Sequence, residues 1–439
     1  MSNEGERIKY GEFIVLGYNG QLPEGDRGRR RSKIEFFQRT RGNGLMKSYQ
    51  YTVAGFPENP LLYQTEEKIY SISYKMKDHS VVVEYCQDEN TDLFQIGRSS
   101  ESPIDFVVLD TIPGNTVIDR NRVDSPQTIS RFACRILANR DEHNSSVKVF
   151  AAGFDSSKRI FLGNNATIWQ KLDSTESCVH GLTTNGILIM KPIGLFCDNY
   201  RRETNIFYSL LNSHRRKSPL MPGTWREVSV DGDVFGRREP RSAIVEGVPV
   251  PMENNILTDG SLIDLCGATL LWRSYDSLSR SPNFGHLTTG INRLINSKMC
   301  PKNLYDLVVP KRNNFNKLVS TNDTEKLFVF TNCGHVQSKE ALSNFIDNEN
   351  NDRCPICNQK SEVAELCLGV ETGFYVDYGP PEYAFVPCGH MVNEETAKYW
   401  ANTPIPCGKS GFYSACPFCA TPLDGSTGYV RLLFSDLTA

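Results

Sequence analysis

Two segments of the chain repeat a set of metal-type donors at fixed spacing: Phe330-x-x-Cys333-Gly334-His335-x-x-x-x-Glu340 and Phe385-x-x-Cys388-Gly389-His390-x-x-x-x-Glu395. Each is followed by a C-P-x-C knuckle, Cys354 to Cys357 in the first copy and Cys416 to Cys419 in the second. Zinc takes four tetrahedral N or S donors at about 2.0–2.3 Å, and C-x-H or C-x-x-C supplies two of them from one tight turn. Eight donors therefore make two closed sites. With no coordination position left for a substrate, the expected ions are two structural Zn²⁺ and the metal is not catalytic. Glycine between Cys and His lets the backbone curl so that both side chains face one ion, and the proline after each first knuckle cysteine pre-sets φ. The spacing leaves pairing open. Sequential pairing joins Cys333, His335, Cys354 and Cys357; interleaved pairing joins Cys333, His335, Cys388 and His390 and leaves the knuckle cysteines to the other ion. Interleaving is the favoured expectation, because it makes one cooperative unit of a segment with little core per residue.

The elements that hold these donors repeat as well. Ser338 and Asn393 stand at the same offset and suit helix N-caps, leading into ALSNFI and TAKYW with apolar residues at helical spacing. Cys300, Cys367 and Cys407 lie outside the repeat, and Cys300, before Pro301, is the spare ligand of choice. Upstream, from Phe13 to Arg273, short β-type runs such as FIVLGYNG, VVVEYC, IDFVVLD, GILIM and LLWRS are separated by turn residues. That pattern predicts an antiparallel sandwich or barrel. Residues 193–223 read as a surface insertion. Ile291, Leu294 and Ile295 suit a short amphipathic helix in a connector. The expected organisation is a mainly β domain over 1–273, a connector over 274–299, and a small zinc-stabilised α+β domain over 300–439.

Composition narrows the classes. A chain of 439 residues, 39% hydrophobic, can bury two or three ordinary cores. The first residues are polar, and no apolar run approaches the ~18 residues that span a bilayer, so no membrane insertion and a cytoplasmic location are expected. Of 14 cysteines, nine fall in residues 300–439, which in a reducing compartment suggests metal ligands before disulfides. The same residues carry 11 Lys/Arg against 16 Asp/Glu. A zinc module that grips nucleic acid needs a basic face, so none is expected as partner. The basic run Arg27–Lys33 reads as a solvated strand edge or turn before it reads as a phosphate-attracting patch or as a nuclear-import signal that would give a nuclear fraction. His79, His143, His180, His214 and His286 are scattered singly and carry no metal argument.

Along most of its length the chain resembles the Pellino family: KYGEFIVLGYNG, GDRGRRRSK, GRSSESPIDFVV, TISRFACRI, FAAGFDSSK, GLTTNG, DGSLIDLCGATLLWR, FYVDYGPP, CGHMVNEETAKYW and CPFCATPLDGSTGY carry the likeness. The resemblance implies an E3 ubiquitin ligase. Its atypical RING-type domain would bind a ubiquitin-charged E2 and position the thioester, with no nucleophile of its own. By analogy with RING domains, Ile356, Trp400, Pro417 and Phe418 are candidates for the E2-docking patch, against a competing reading as packing between the zinc sites. Ordinary RINGs often set a basic residue after the last ligand; here Ala420 stands there.

The resemblance further implies a forkhead-associated (FHA) fold for the β-rich half, with Arg98, Ser130, Arg131, Thr184 and Asn185 at the positions that hold phosphothreonine. Arginines and hydroxyls suit a phosphate of about −1.5 to −2 charge, and asparagine can clamp a peptide backbone. FHA domains usually carry histidine three residues after the serine, where this chain has Ala133. The implied partners are ubiquitin, its E2, and a phosphorylated interleukin-1-receptor-associated or Pelle-type kinase of Toll-like signalling. A noncatalytic, zinc-stapled scaffold is the alternative.

Overall fold

The structure, a computed structural model, describes residues 7–17, 33–54, 69–111, 128–141, 146–172, 177–196, 220–283, 285–287, 289, 327–339, 342, 352–369 and 371–434. The expected helix at Ile291–Ile295, Cys300, Glu340, residues 27–32 of the basic run and most of the 193–223 insertion lie outside them.

Both halves are mostly strand. In the first, a seven-stranded antiparallel sheet runs in the order Val234–Gly236, Arg226–Val228, Ile187–Met190, Leu262–Asp264, Thr269–Ser274, Lys9–Val15 and Lys33–Phe37. A four-stranded sheet (Phe106–Val107, Thr91–Gly97, Cys134–Asn139, Val147–Ala151) and a second one (Arg159–Leu162, Tyr70–Lys75, His79–Asp88, Gly44–Ala54) complete the sandwich. Phe13, Phe36 and Trp272 join Ile72, Tyr74, Ile96, Ile136 and Val149 in its core. The Phe13 and Trp272 rings meet edge-on at 5.0 Å.

The seven-stranded sheet is apolar on both faces. Along Lys9–Val15 and just beyond, Phe13 and Val15 enter the sandwich core, while Ile14 and Leu16 enter a second core shared with the zinc-type half. Ile187 and Ile189 alternate with Leu188 and Met190 in the same way, and Leu270 and Trp272 with Leu271. Period-two alternation sends successive side chains to opposite faces, so an unbroken apolar strand is one covered on both sides. Polar contacts reinforce this joint. Trp225 Nε1 donates to the Pro404 carbonyl at 2.5 Å, Arg273 Nη1 to the Gly373 carbonyl at 2.6 Å, and the Gly17 amide to the Pro417 carbonyl at 2.9 Å. The two halves are thus not beads on a connector but layers against one sheet.

The second half has a pseudo-twofold plan. One sheet is ordered Val363–Glu365, Leu327–Phe330, His335–Ser338, Leu433–Phe434; the other Cys367–Leu368, His390–Val392, Tyr383–Phe385, Tyr429–Arg431. In each copy a hairpin carries Cys-Gly-His at its turn, and the strand after the knuckle pairs with the copy's own hairpin. The next strand then crosses to lie parallel to the histidine strand of the other copy. Gly334 and Gly389 (φ +78° and +75°) make the crossing possible. The Gly334 carbonyl accepts from the Leu433 amide at 2.8 Å, and the Gly389 carbonyl from the Cys367 amide at 3.1 Å. A Cβ on either glycine would lie 2.0 Å from a carbonyl oxygen, of Arg431 or of Glu365.

Candidate functional site

Eight predicted donors come together as two groups of four: Cys333, His335, Cys354 and Cys357, and Cys388, His390, Cys416 and Cys419. The pairing is sequential, which corrects the interleaved expectation. The cooperative bracing that interleaved ligands would have supplied is carried by the crossing strands instead. Within each group one donor atom per residue lies within 4.8 Å of every other, a spread that suits a tetrahedron whose edge is about 3.8 Å for 2.3 Å bonds. His335 Nδ1 is 3.3 Å from Cys333 Sγ and 3.6 Å from Cys354 Sγ; His390 Nδ1 is 3.4 Å from Cys388 Sγ. Three sulfurs and one imidazole form a soft set that fits zinc.

The knuckles are built alike. The Asn358 amide donates to the Cys354 carbonyl at 2.8 Å and the Ala420 amide to the Cys416 carbonyl at 2.9 Å. Asn358 and Ala420 both take positive φ, +59° and +55°. The helix Glu394–Ala401 starts as expected, Asn393 accepting from the Thr396 amide. Ser338 ends a strand, and the segment after it is mostly outside the described residues.

Around the ligands the copies diverge. Trp400, Pro417 and Phe418 are buried and form no exposed E2-docking patch: Trp400 and Phe418 pack among residues of the zinc-type half, as the competing reading has it, and the Pro417 carbonyl takes the Gly17 amide from the other half. Trp400 Nε1 donates to the Phe374 carbonyl at 2.9 Å. Phe418 stacks on His390 at 5.4 Å and meets Phe374 edge-on. Ala420 is buried, and a Cβ on Gly17 would lie 2.8 Å from its own. Of the four candidate docking residues only Ile356, at 44%, is exposed. Cys367, which lies outside the repeated donor frame, pairs with His390 across the parallel ladder, and its side chain interacts electrostatically with the ring. A ligand histidine is commonly oriented by such a second partner.

The phosphate-type residues gather at one end of the sandwich. Arg98 Nε donates to the Ile129 carbonyl at 2.7 Å, which fixes the guanidinium plane, and the Arg98 amide reaches the Ser130 carbonyl at 3.2 Å. Asn185 Nδ2 donates to Ser130 Oγ at 3.0 Å and to the Thr128 carbonyl at 2.6 Å. Thr184 Oγ1 donates to the Asn165 carbonyl at 2.7 Å. Arg131 is exposed and paired with Glu101. Two buried arginines, which the sequence did not single out, shape the Thr183–Gly186 turn. Arg238 Nη2 reaches the Thr183 carbonyl at 2.6 Å while paired with Glu227, and Arg241 Nη1 reaches the Gly186 carbonyl at 3.2 Å while paired with Asp264. Ala133, where FHA domains usually carry histidine, is buried and donates its amide to the Ile96 carbonyl at 2.9 Å.

Comparison with known proteins agrees with both halves. The family model "Pellino, FHA domain" matches residues 1–289 and "Pellino, RING domain" matches residues 294–438. The chain is 48% identical to "Protein pellino" of Drosophila melanogaster, over 98% of this chain and 94% of that one. It is 44% identical to "E3 ubiquitin-protein ligase pellino homolog 2" of Homo sapiens (98% and 96% covered) and 41% to "E3 ubiquitin-protein ligase pellino homolog 3" of Mus musculus (98% and 90%). A sandwich bearing clustered arginine, serine and asparagine, joined through one sheet to a repeated Cys-His domain and matched end to end by these relatives, makes the chain a member of the Pellino family.

Proposed function

We propose that the protein is a phosphorylation-directed E3 ubiquitin ligase of two structural zinc ions, as the names of its relatives suggest. In the reaction of such a ligase a substrate lysine amine attacks the carbonyl carbon of the E2-ubiquitin thioester. An isopeptide bond forms and the E2 cysteine leaves as thiolate. The ligase contributes position, which converts a bimolecular encounter into an effectively intramolecular one. Two closed Cys3His sets carry this reading, since they build a platform and offer no open metal position. The exposed first knuckle, with Ile356 at its tip, is the face left for the E2.

On the other side, Arg98, Ser130, Thr184 and Asn185 hold a phosphothreonine segment, with Arg131 reaching the phosphate if it leaves Glu101. A phosphorylated kinase of the interleukin-1-receptor-associated or Pelle type, in Toll-like signalling, fits this reading, and it places the protein in the cytoplasm. Recruitment raises the effective concentration of substrate at the E2, so modest affinities suffice. Among the described residues no helix is long and apolar enough to cross a membrane.

Reconstitution with E1, a panel of E2 enzymes and ubiquitin tests the ligase reading: chains are expected from wild type and none when Cys354 and Cys357 are replaced by Ala. Arg98→Ala is expected to abolish binding to a phosphothreonine peptide while discharge of E2 onto free lysine continues. Equal affinity for the phosphorylated and plain peptides would remove the recruitment half. The burial of Pro417, Phe418 and Ala420 favours a second reading, a noncatalytic scaffold. Failure of every E2 in the panel to discharge selects it.

A further inference from the structure

Outside the ligase half, four donor residues meet that the sequence presents as unrelated. Cys178 and His180 lie on the strand Ser177–Leu182, and Asp231 and Asp233 on the turn between Arg226–Val228 and Val234–Gly236. One donor atom from each lies within 4.8 Å of every other, a limit that the two ligase-half groups also meet. This corrects the reading of His180 as a lone histidine: its Nδ1 is 3.2 Å from Asp231 Oδ2 and 3.2 Å from Asp233 Oδ2.

Local structure explains the convergence. Residues two apart on a strand share a face, which puts Cys178 beside His180. The turn is curled by Gly232 (φ +99°) and closed by the Ser229 amide on the Asp233 carbonyl at 2.9 Å. The Val230 amide clips it to the Gly181 carbonyl at 2.9 Å. The His180 ring is flanked by Trp169 at 5.3 Å and Phe235 at 5.5 Å, so its direction is set by packing.

One atom is left unexplained by protein contacts alone. Asp231 Oδ1 is buried without a hydrogen-bond partner among the described residues. One imidazole N–H cannot satisfy two carboxylates, and an anionic oxygen left unmet in the interior is costly.

We propose that Cys178, His180, Asp231 and Asp233 form a third metal site, for a borderline divalent ion, Zn²⁺, that staples the ribbon Thr167–Leu172/Ser177–Leu182 to the sheet. Thiolate and imidazole donors exclude the all-oxygen coordination of calcium and magnesium, and an S, N, O, O set is within zinc's range. A thiolate and two carboxylates around Zn²⁺ leave one negative charge, which the buried Arg135 guanidinium, hydrogen-bonded to the Val230 carbonyl next to Asp231, offsets. The Asp233 side chain is 59% exposed, which gives the ion an entry path. The stapled strand runs directly into Thr184 and Asn185, so the ion would fix the root of the recognition loop.

The test is a metal count on full-length protein equilibrated with Zn²⁺ and desalted, by inductively coupled plasma mass spectrometry. Three ions per chain are expected for wild type, and one fewer for Asp231→Asn and for Cys178→Ser. The same count in wild type and both variants would overturn the site and leave a hydrogen-bonded ion cluster. Because the difference of one ion is read, loss of zinc from the ligase half shifts every count equally and is told apart. Should both variants be insoluble, Asp233→Asn at the exposed rim takes their place: one ion fewer than wild type sustains the site and an equal count overturns it.

Discussion

The two ligase-half clusters share donors, knuckle geometry and backbone signs, yet they sit in opposite surroundings. The second lies in the core common to both halves, its knuckle under Gly17 and its histidine stacked on Phe418. The first belongs to a small satellite of Phe330, Leu342 and Cys354, with Cys357 and Ile356 facing solvent. The position beside the histidine differs too: Cys367 opposite His390, Leu433 opposite His335. Duplicated ligands have thus not kept duplicated roles. One copy has become the joint that locks the halves together, and the other keeps a free face.

This contrast can be broken at several points. The largest effect is expected from Phe418→Ala, which empties the shared core at a cost of about 3–5 kcal/mol. Denaturant melts should show both halves failing in one transition, and phosphopeptide binding should be lost along with ubiquitin transfer. Separate transitions would show the halves to be independent. Next come Gly334→Ala and Gly389→Ala, each combining a strained positive φ with a blocked strand crossing, for about 2–4 kcal/mol. Similar losses in both are expected, since both crossings brace the same pair of sheets. Cys367→Leu copies the first site's surroundings onto the second. Competition with a chelator should reveal zinc affinity lower by about 10–100-fold at that site alone. The smallest stability change, within about 0.5 kcal/mol, belongs to Ile356→Ala on the exposed knuckle. Its E2 discharge should nevertheless fall; unchanged discharge would move the docking face elsewhere.

Much of this was readable in the chain. The eight donors, the repeat and the Asn393 cap follow from spacing, because each pair acts within one turn. Ligand pairing was not, since it depends on which strands cross, and that is settled by contacts between distant segments such as His335 and Leu433. The joint between the halves leaves a trace in the chain: FIVL, ILIM and LLW are unbroken apolar runs, where a sheet with one wet face would alternate. For Trp400, Pro417 and Phe418 the sequence leaves docking and packing open alike, and the partners that decide for packing, such as Phe374, lie far along the chain from the knuckle. His180 stands alone in the sequence because its carboxylate neighbours lie some fifty residues on, in a turn between strands of a different sheet.

The crossing of Leu433–Phe434 onto the histidine strand of the first hairpin bears on how the chain is made. During synthesis the Cys333–His335 hairpin emerges long before its parallel neighbour, and its Gly334 carbonyl must wait for the Leu433 amide. The ligase half therefore cannot close as a nascent fragment. A ribosome that stops before residue 433 would release a chain with the donors of both ligase-half clusters in place and the first sheet still open at its edge. Such an edge invites strand pairing with other chains, which makes truncated products candidates for aggregation and quality control rather than for partial activity.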